Sequence, residues 1–197
     1  MSKEYWKPGN MLYPVPAVMV SCGREGETPD IITVAWAGTI CSDPAMVSIS
    51  VRKERFSHSI IRDTGEFVIN LVNKRLVRAT DYCGVKSGRD VDKFKETRLT
   101  PQASRYVKAP GVEESPVNIE CIVKDIKSLG SHDMFIAQVA AVHVDEKYMD
   151  TKNKFHLEDA HPIVYSHGIY MSLGKKIGTF GYSVRKGPNP RGGRKSK

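Results

Sequence analysis

The stretch Thr33-Val34-Ala35-Trp36-Ala37-Gly38-Thr39-Ile40-Cys41-Ser42-Asp43-Pro44-Ala45-Met46-Val47-Ser48-Ile49-Ser50-Val51-Arg52-Lys53-Glu54-Arg55-Phe56-Ser57-His58 decides the fold class. Its first residues complete a β-branched run, Ile31 to Trp36, that reads as a strand. Ala45 to Val51 is a second strand, in which Val47, Ile49 and Val51 alternate with serines, the period of a strand with one covered face. Between them, Ala37 to Pro44 is rich in small residues, ends on the turn dipeptide Asp43-Pro44 and reads as a link. Beyond the second strand lie Arg52-Lys53-Glu54-Arg55. Ser57 then reads as the N-cap of a short helix, His58 to Asp63, which Gly65 stops.

Strand signals continue on both sides of this stretch. Ala17 to Cys22 precedes it as a buried strand, and Glu66 to Leu71 follows it. Asn73 is placed to cap a helix over Lys74 to Tyr82, after which Cys83 to Lys93 reads as a loop. Val117 to Ser128 and Met134 to Val144 form a long hairpin around a polar tip. Ile163 to Tyr165 and Ile169 to Leu173 are short closing strands. Many strands with few short helices predict a mainly β fold, a barrel with peripheral helices, and not a βαβ array. No G-x-G-x-x-G follows a strand and no P-loop is present, so neither nucleotide-binding motif is supported.

The chain has 197 residues, 40% apolar and 26% charged, the composition of one globular domain. No apolar run approaches the roughly 18 residues of a membrane-spanning helix, and the first residues lack the apolar core of a secretory signal, so a cytoplasmic location is expected. Cys22, Cys41, Cys83 and Cys121 form no C-x-x-C pair and read as free thiols, buried in a reducing compartment. His156, His161 and His167 have no standard metal-ligand spacing, and no metal is expected. The net charge of +8 is concentrated at one end, where Arg185, Lys186, Arg191, Arg194, Lys195 and Lys197 follow the last acid, Asp159. Residues 185–197 therefore read as a basic, disordered tail behind a domain of residues 1–184. The strands lack the interleaved aromatics and cations of a nucleic-acid-binding barrel, and no specific nucleic acid is expected.

The chemistry of the opening stretch is that of an anion site. Cationic side chains precede a helix N-terminus, whose free N–H groups and dipole favour a phosphate. Small residues beside it allow close backbone approach to a flat ligand. The alternative is a solvated charge cluster next to an ordinary helix cap.

The run Thr33 to His58, continued by Ile60 to Leu71, resembles the signature of the flavin reductase-like family. Tyr82 to Phe94, Ser131-His132-Asp133 and His161 to Tyr165 extend the resemblance in order. Leu173-Gly174-Lys175 through Phe180 to Ser183 is similar to the branch of flavoredoxins and archaeal ferric reductases. The resemblance covers about residues 10 to 183. It implies an FMN-binding split β-barrel, working as a homodimer with the flavin near the interface. Carried over by position, Thr33, Val34, Ala35, Trp36, Ala37, Gly38 and Thr39 line the isoalloxazine edge. Arg52, Lys53, Arg55, Ser57 and His58 hold the ribityl chain and phosphate. Cys83, Gly84, Ser87, Gly88 and Lys93 form a loop over the cofactor, and His132 and Tyr165 sit near the ring.

The same resemblance implies that no protein group acts as nucleophile or acid–base catalyst, because the flavin N5 carries the chemistry. NAD(P)H is the expected co-substrate and free flavin, oxygen, a ferric chelate or a redox protein the acceptor. The rival reading from the same family is an electron carrier that keeps its FMN and does not use nicotinamide directly. Pyridoxal-phosphate-dependent oxidase relatives share the architecture without the Thr33–His58 pattern.

Overall fold

The computed structural model describes residues 1–185; the expected tail lies outside the described residues from position 186 onward. The first strands are β1 (Val15–Pro16), β2 (Val18–Cys22), β3 (Asp30–Val34), β4 (Ala37–Ser42) and β5 (Ala45–Arg52). Helix α1 (Phe56–Thr64) leads to β6 (Glu66–Leu71), then to helices α2 (Val77–Val85) and α3 (Lys93–Thr97). The short pair β7 (Pro101–Gln102) and β8 (Gly111–Val112) precedes the long hairpin of β9 (Val117–Leu129) and β10 (His132–Val144), and β11 (Ile163–Ser166) and β12 (Ile169–Ser172) end the series.

Seven strands form one antiparallel sheet in the order β3-β2-β6-β9-β10-β5-β4. The two edge strands, β3 and β4, are consecutive in sequence and separated only by Ala35 and Trp36. Laid flat, six inter-strand spacings would hold those edges roughly 29 Å apart, whereas a two-residue link reaches about 10 Å. The sheet must therefore curl until its edges approach. The Ser50 N–H donates to the Trp36 carbonyl at 2.8 Å on this seam. β3 and β4 do not pair with each other, so the barrel is split and not closed.

The sequence pattern fills this barrel directly. Val47, Ile49 and Val51 face inward from β5 to meet Val18, Val20, Val34, Phe67 and Phe135, while Ile60 and Ile61 of α1 join the same cluster. β2 is buried on both faces, because Met19, with Ala17 just before the strand, packs outward in one cluster with Leu76, Cys83 and Phe94 from the α2–α3 side.

Three expectations need correction. Ala37 to Ser42 is a strand and not a link: it pairs with β5 from Ala37↔Ile49 to Ser42↔Ala45, and this pairing overrides the weak intrinsic preference of its small residues. Ser57 does not cap α1. Arg55 is the N-cap residue, without a side-chain bond, and the Ser57 hydroxyl donates instead to Asp30 Oδ2 at 2.5 Å, a charge-assisted bond stronger than an ordinary cap. The segment Cys83 to Lys93 is not all loop, since Cys83, Gly84 and Val85 finish α2 and Lys93 opens α3. Asp92 caps that five-residue helix by accepting from the Lys95 N–H, a helix too short to show periodicity. Other signals behave as read. Asn73 Oδ1 accepts from the Arg75 and Leu76 N–H groups in the turn that leads into α2. Gly65 ends α1 at φ 69°, its N–H bonded to the Ile61 carbonyl.

A buried carboxylate fixes the loop that leads into β8. Glu120, fully buried on β9, accepts from the backbone N–H groups of Arg105 and Tyr106 at 2.7 and 2.6 Å and pairs with His143 Nε2 at 2.5 Å. Burial opposes ionisation, but the two N–H donors and His143 outweigh it and hold the carboxyl below its usual range. A depressed folded pKa stabilises above the unfolded value, and that contribution disappears as pH falls through the folded one. Amide exchange should therefore show Arg105 and Tyr106 protected at neutral pH and deprotected in acid. Glu120→Gln should deprotect them at neutral pH, each hydrogen bond to the charged group being worth about 1.5–3 kcal/mol. Unchanged exchange in that variant would contradict the role.

Candidate functional site

The turn between β5 and α1 and the loop after α2 face each other across a cleft of about 350 Å³. Arg52, Arg55, Lys86 and Arg89 line it, with Glu54 as the acid among them, and Ile32, Phe56, Ser57, Ser87, Gly88 and Lys93 complete the wall. The first turn of α1 opens onto this cleft, so its unsatisfied N–H groups add to the positive field.

The back of the cleft is a buried ion network. Asp30 and Lys93 are 3% and 2% exposed, and their charged groups meet at 2.9 Å. Lys93 Nζ also donates to the Ile31 carbonyl, and the second Asp30 oxygen accepts from Ser57. Gly88 is packed against this unit. A Cβ there would overlap the Asp30 carboxylate and lie 2.6 Å from the Phe56 ring, so glycine is what lets the loop close down. The charge of Lys93 is spent on Asp30. Arg52 Nη1 lies 3.5 Å from Glu54 Oε1 in an exposed pair, and Arg55, Lys86 and Arg89 have no carboxylate partner among the described residues, so these four cations leave the cleft with net positive charge.

Arg55 links the cleft to the β3–β4 seam. Its guanidinium donates to the Gly84 carbonyl at 2.6 Å, and Gly84 lies against Thr33, a Cβ there standing 3.3 Å from Thr33 Cβ. The Thr33 hydroxyl is bonded to the Thr80 carbonyl at 2.5 Å. Beyond it, Val34 is buried in the barrel, Ala35, Trp36 and Ala37 are half-buried, and Gly38 and Thr39 are exposed on the edge strand β4. The run Thr33 to Thr39 thus forms an open shelf next to the cationic cleft. Trp36 packs against Tyr13, which also contacts Tyr165, so Tyr13 links Tyr165 to the seam.

Several residues expected at the site point elsewhere. His58 turns its ring from the cleft and bonds Asp133 Oδ2 at 2.8 Å, edge-on to Phe135. Lys53 donates to Ser128 Oγ at 2.7 Å and lies 3.4 Å from Asp133 Oδ1. For Asp133, burial opposes ionisation, but the bonds from His58 and its other partners outweigh it and keep its carboxyl below the usual range. His58 and Lys53 thus pin the start of α1 to β10. His132 sits opposite Arg52 in the β10–β5 register, with its Nδ1 at 2.9 Å from Ser131 Oγ. Cys83 faces the outer core, and burial pushes its thiol up to about 12, so it is no thiolate at neutral pH.

A family model described as the flavin reductase like domain matches residues 10–174. The chain belongs to the flavin reductase-like family. Flavoredoxin of Desulfovibrio vulgaris (Miyazaki F) superposes with a TM-score of 0.87 at 28% identity, covering 93% of this chain and all of that one. Flavoredoxin from Methanosarcina acetivorans superposes at 0.81 with 24% identity, again over 93% of this chain and all of that one, a likeness of fold. An uncharacterized protein of Pyrococcus abyssi is 32% identical over 137 residues, 70% of this chain and 78% of that protein.

Membership of this family makes the protein a split-barrel, flavin-binding oxidoreductase by fold. Among the described residues, no helix is long and apolar enough to cross a membrane. Position-by-position reading of the family pattern leaves out Asp30, Phe56, Lys86, Arg89 and Asp133. Lys86 and Arg89 stood inside the quoted Tyr82–Phe94 stretch as uncommitted cations, a signal that could have found them. Asp133 likewise lies inside the Ser131–Asp133 stretch of the resemblance, whereas Asp30 lies outside every such stretch, and only the partners that the fold brings in reveal the roles of both.

Proposed function

We propose that the protein binds FMN and works as an NAD(P)H-dependent flavin reductase, including flavin-mediated ferric reduction. The observation that carries this reading is the cleft in which Arg52, Arg55, Lys86 and Arg89 converge beside the α1 N-terminus and the open Thr33–Thr39 shelf. Four cations against the single acid Glu54 suit the doubly charged terminal phosphate of FMN. The residues present fit the group: Arg52 and Arg55 would hold the phosphate, Lys86 and Arg89 would flank it, and backbone of Thr33 to Thr39 would lie along the ring edge. Bound FMN would supply hydride acceptance at N5 and electron delivery to an acceptor.

The chain's own contribution is binding, orientation and access. Exposed Gly38 and Thr39 leave one side of the shelf open, which is what a stacking nicotinamide requires. The flavoredoxin likeness favours a second reading, an electron carrier that retains FMN and exchanges electrons with proteins. A homodimer is part of the proposal, and the free cysteines suit a cytoplasmic setting.

An anaerobic absorbance scan before and after adding NADH or NADPH separates the two. Bleaching of the oxidised-flavin band near roughly 450 nm is the result expected of the reductase. A yellow protein unchanged by either nicotinamide selects the carrier, and a colourless protein that takes up no FMN removes both. The same sample should sediment as a dimer; a monomer retaining FMN would count against the interface geometry.

A further inference from the structure

The cationic cleft does not end freely. Arg89 forms its far wall, with its guanidinium 5.8 Å from the centre of the Phe56 ring and donating to the Glu54 carbonyl at 3.1 Å. Its backbone is set by the turn in which Ser87 Oγ accepts the Arg89 N–H and the Ser87 carbonyl accepts the Asp90 N–H. On the other side of Arg89 lies a second depression, also of about 350 Å³, which shares Phe56, Gly88 and Arg89 with the cleft. Its charge is opposite: Glu27, Asp30, Asp90 and Asp92 line it, and Arg89 is the cation among its lining residues. Asp30 is neutralised by Lys93, and Arg24 lies 3.4 Å from Glu27. Asp90 and Asp92 have no ion pair among the described residues.

We infer that Arg89, clamped over Phe56 between a cationic cleft and an acidic depression, restricts the site to a flavin ending in a monophosphate and excludes the flavin adenine dinucleotide. This rests on the flavin reading above. A terminal phosphate completes its charge pairing inside the cleft. A dinucleotide continues from that phosphate into a second phosphate and an adenosine. Arg89 bars that path, and the Phe56 face on which an adenine could stack is already covered by its guanidinium.

Equilibrium titration of the flavin-free full chain with FMN and with FAD, read by flavin fluorescence, tests this. The wild type should bind FMN at least about tenfold more tightly than FAD. Arg89→Ala should bind FAD about fivefold more tightly than the wild type does, although a cation has been removed and FAD is the more negatively charged ligand. Plain electrostatic attraction predicts the reverse, so FAD affinity that is unchanged or weaker in Arg89→Ala overturns the inference. Equal wild-type affinity for the two flavins also overturns it while leaving the flavin reading intact. Binding of neither flavin overturns the flavin reading itself, and the inference with it.

Discussion

Asp30→Ala is expected to lower stability by about 3–5 kcal/mol, because it leaves the Lys93 ammonium buried without its counter-charge. The pair is almost wholly enclosed, at 3% and 2% exposure, and Asp30 also holds Ser57 at the start of α1. For a chain of this size the loss corresponds to a fall in Tm on the order of 10 °C. Denaturant unfolding measures it directly. The double variant Asp30→Ala with Lys93→Met should recover part of the loss, since removing both charges is cheaper than stranding one. A single variant within about 0.5 kcal/mol of wild type would show that Lys93 finds water or another partner there. Because the pair joins β3, α1 and α3, its loss should also loosen the cleft and weaken flavin binding in the variant that remains folded.

Replacing Arg52 and Arg55 together by alanine should weaken FMN binding by roughly a hundredfold to ten-thousandfold, each hydrogen bond to a charged group contributing about 1.5–3 kcal/mol. Lys53→Ala should do far less, because that ammonium is directed to Ser128 and Asp133 and not to the cleft. Fluorescence titration of the three proteins tests the contrast. Unchanged affinity in the double arginine variant removes the phosphate assignment. A Lys53 effect as large as the arginine effect would place the phosphate nearer the hairpin than the cleft geometry indicates. The contrast matters because family resemblance alone gave Arg52, Lys53 and Arg55 the same role.

Those three residues show why part of the site was legible and part was not. Their positive charge and their place before a helix are local properties, so the concentration of charge is legible in the sequence, and the phosphate site remains the proposal built on it. Which of them face the cleft depends on Asp133, which lies 75 residues beyond His58 and arrives only through the β10–β5 register. The same holds for Lys93 and the Ile31 carbonyl, 62 residues apart. Ser57 is a fair N-cap by local rules, but a buried aspartate from another strand takes its hydroxyl. Strand β4, Ala37 to Ser42, reads as a link in the sequence because its residues have little strand preference of their own.

By itself the sequence determined the strands with period-two alternation, the β9–β10 hairpin, the Gly65 stop, the Asn73 cap and the concentration of cations after β5. Each depends on neighbours within a few residues, where backbone geometry and side-chain period act directly. Only the tertiary structure decided that β4 closes toward β3, that Lys93 and Lys53 are held by carboxylates, and that Lys86 and Arg89 complete the cleft. Those outcomes turn on ion pairs and burial between distant segments, and a charge has no fixed role until the fold supplies its partner and removes its water.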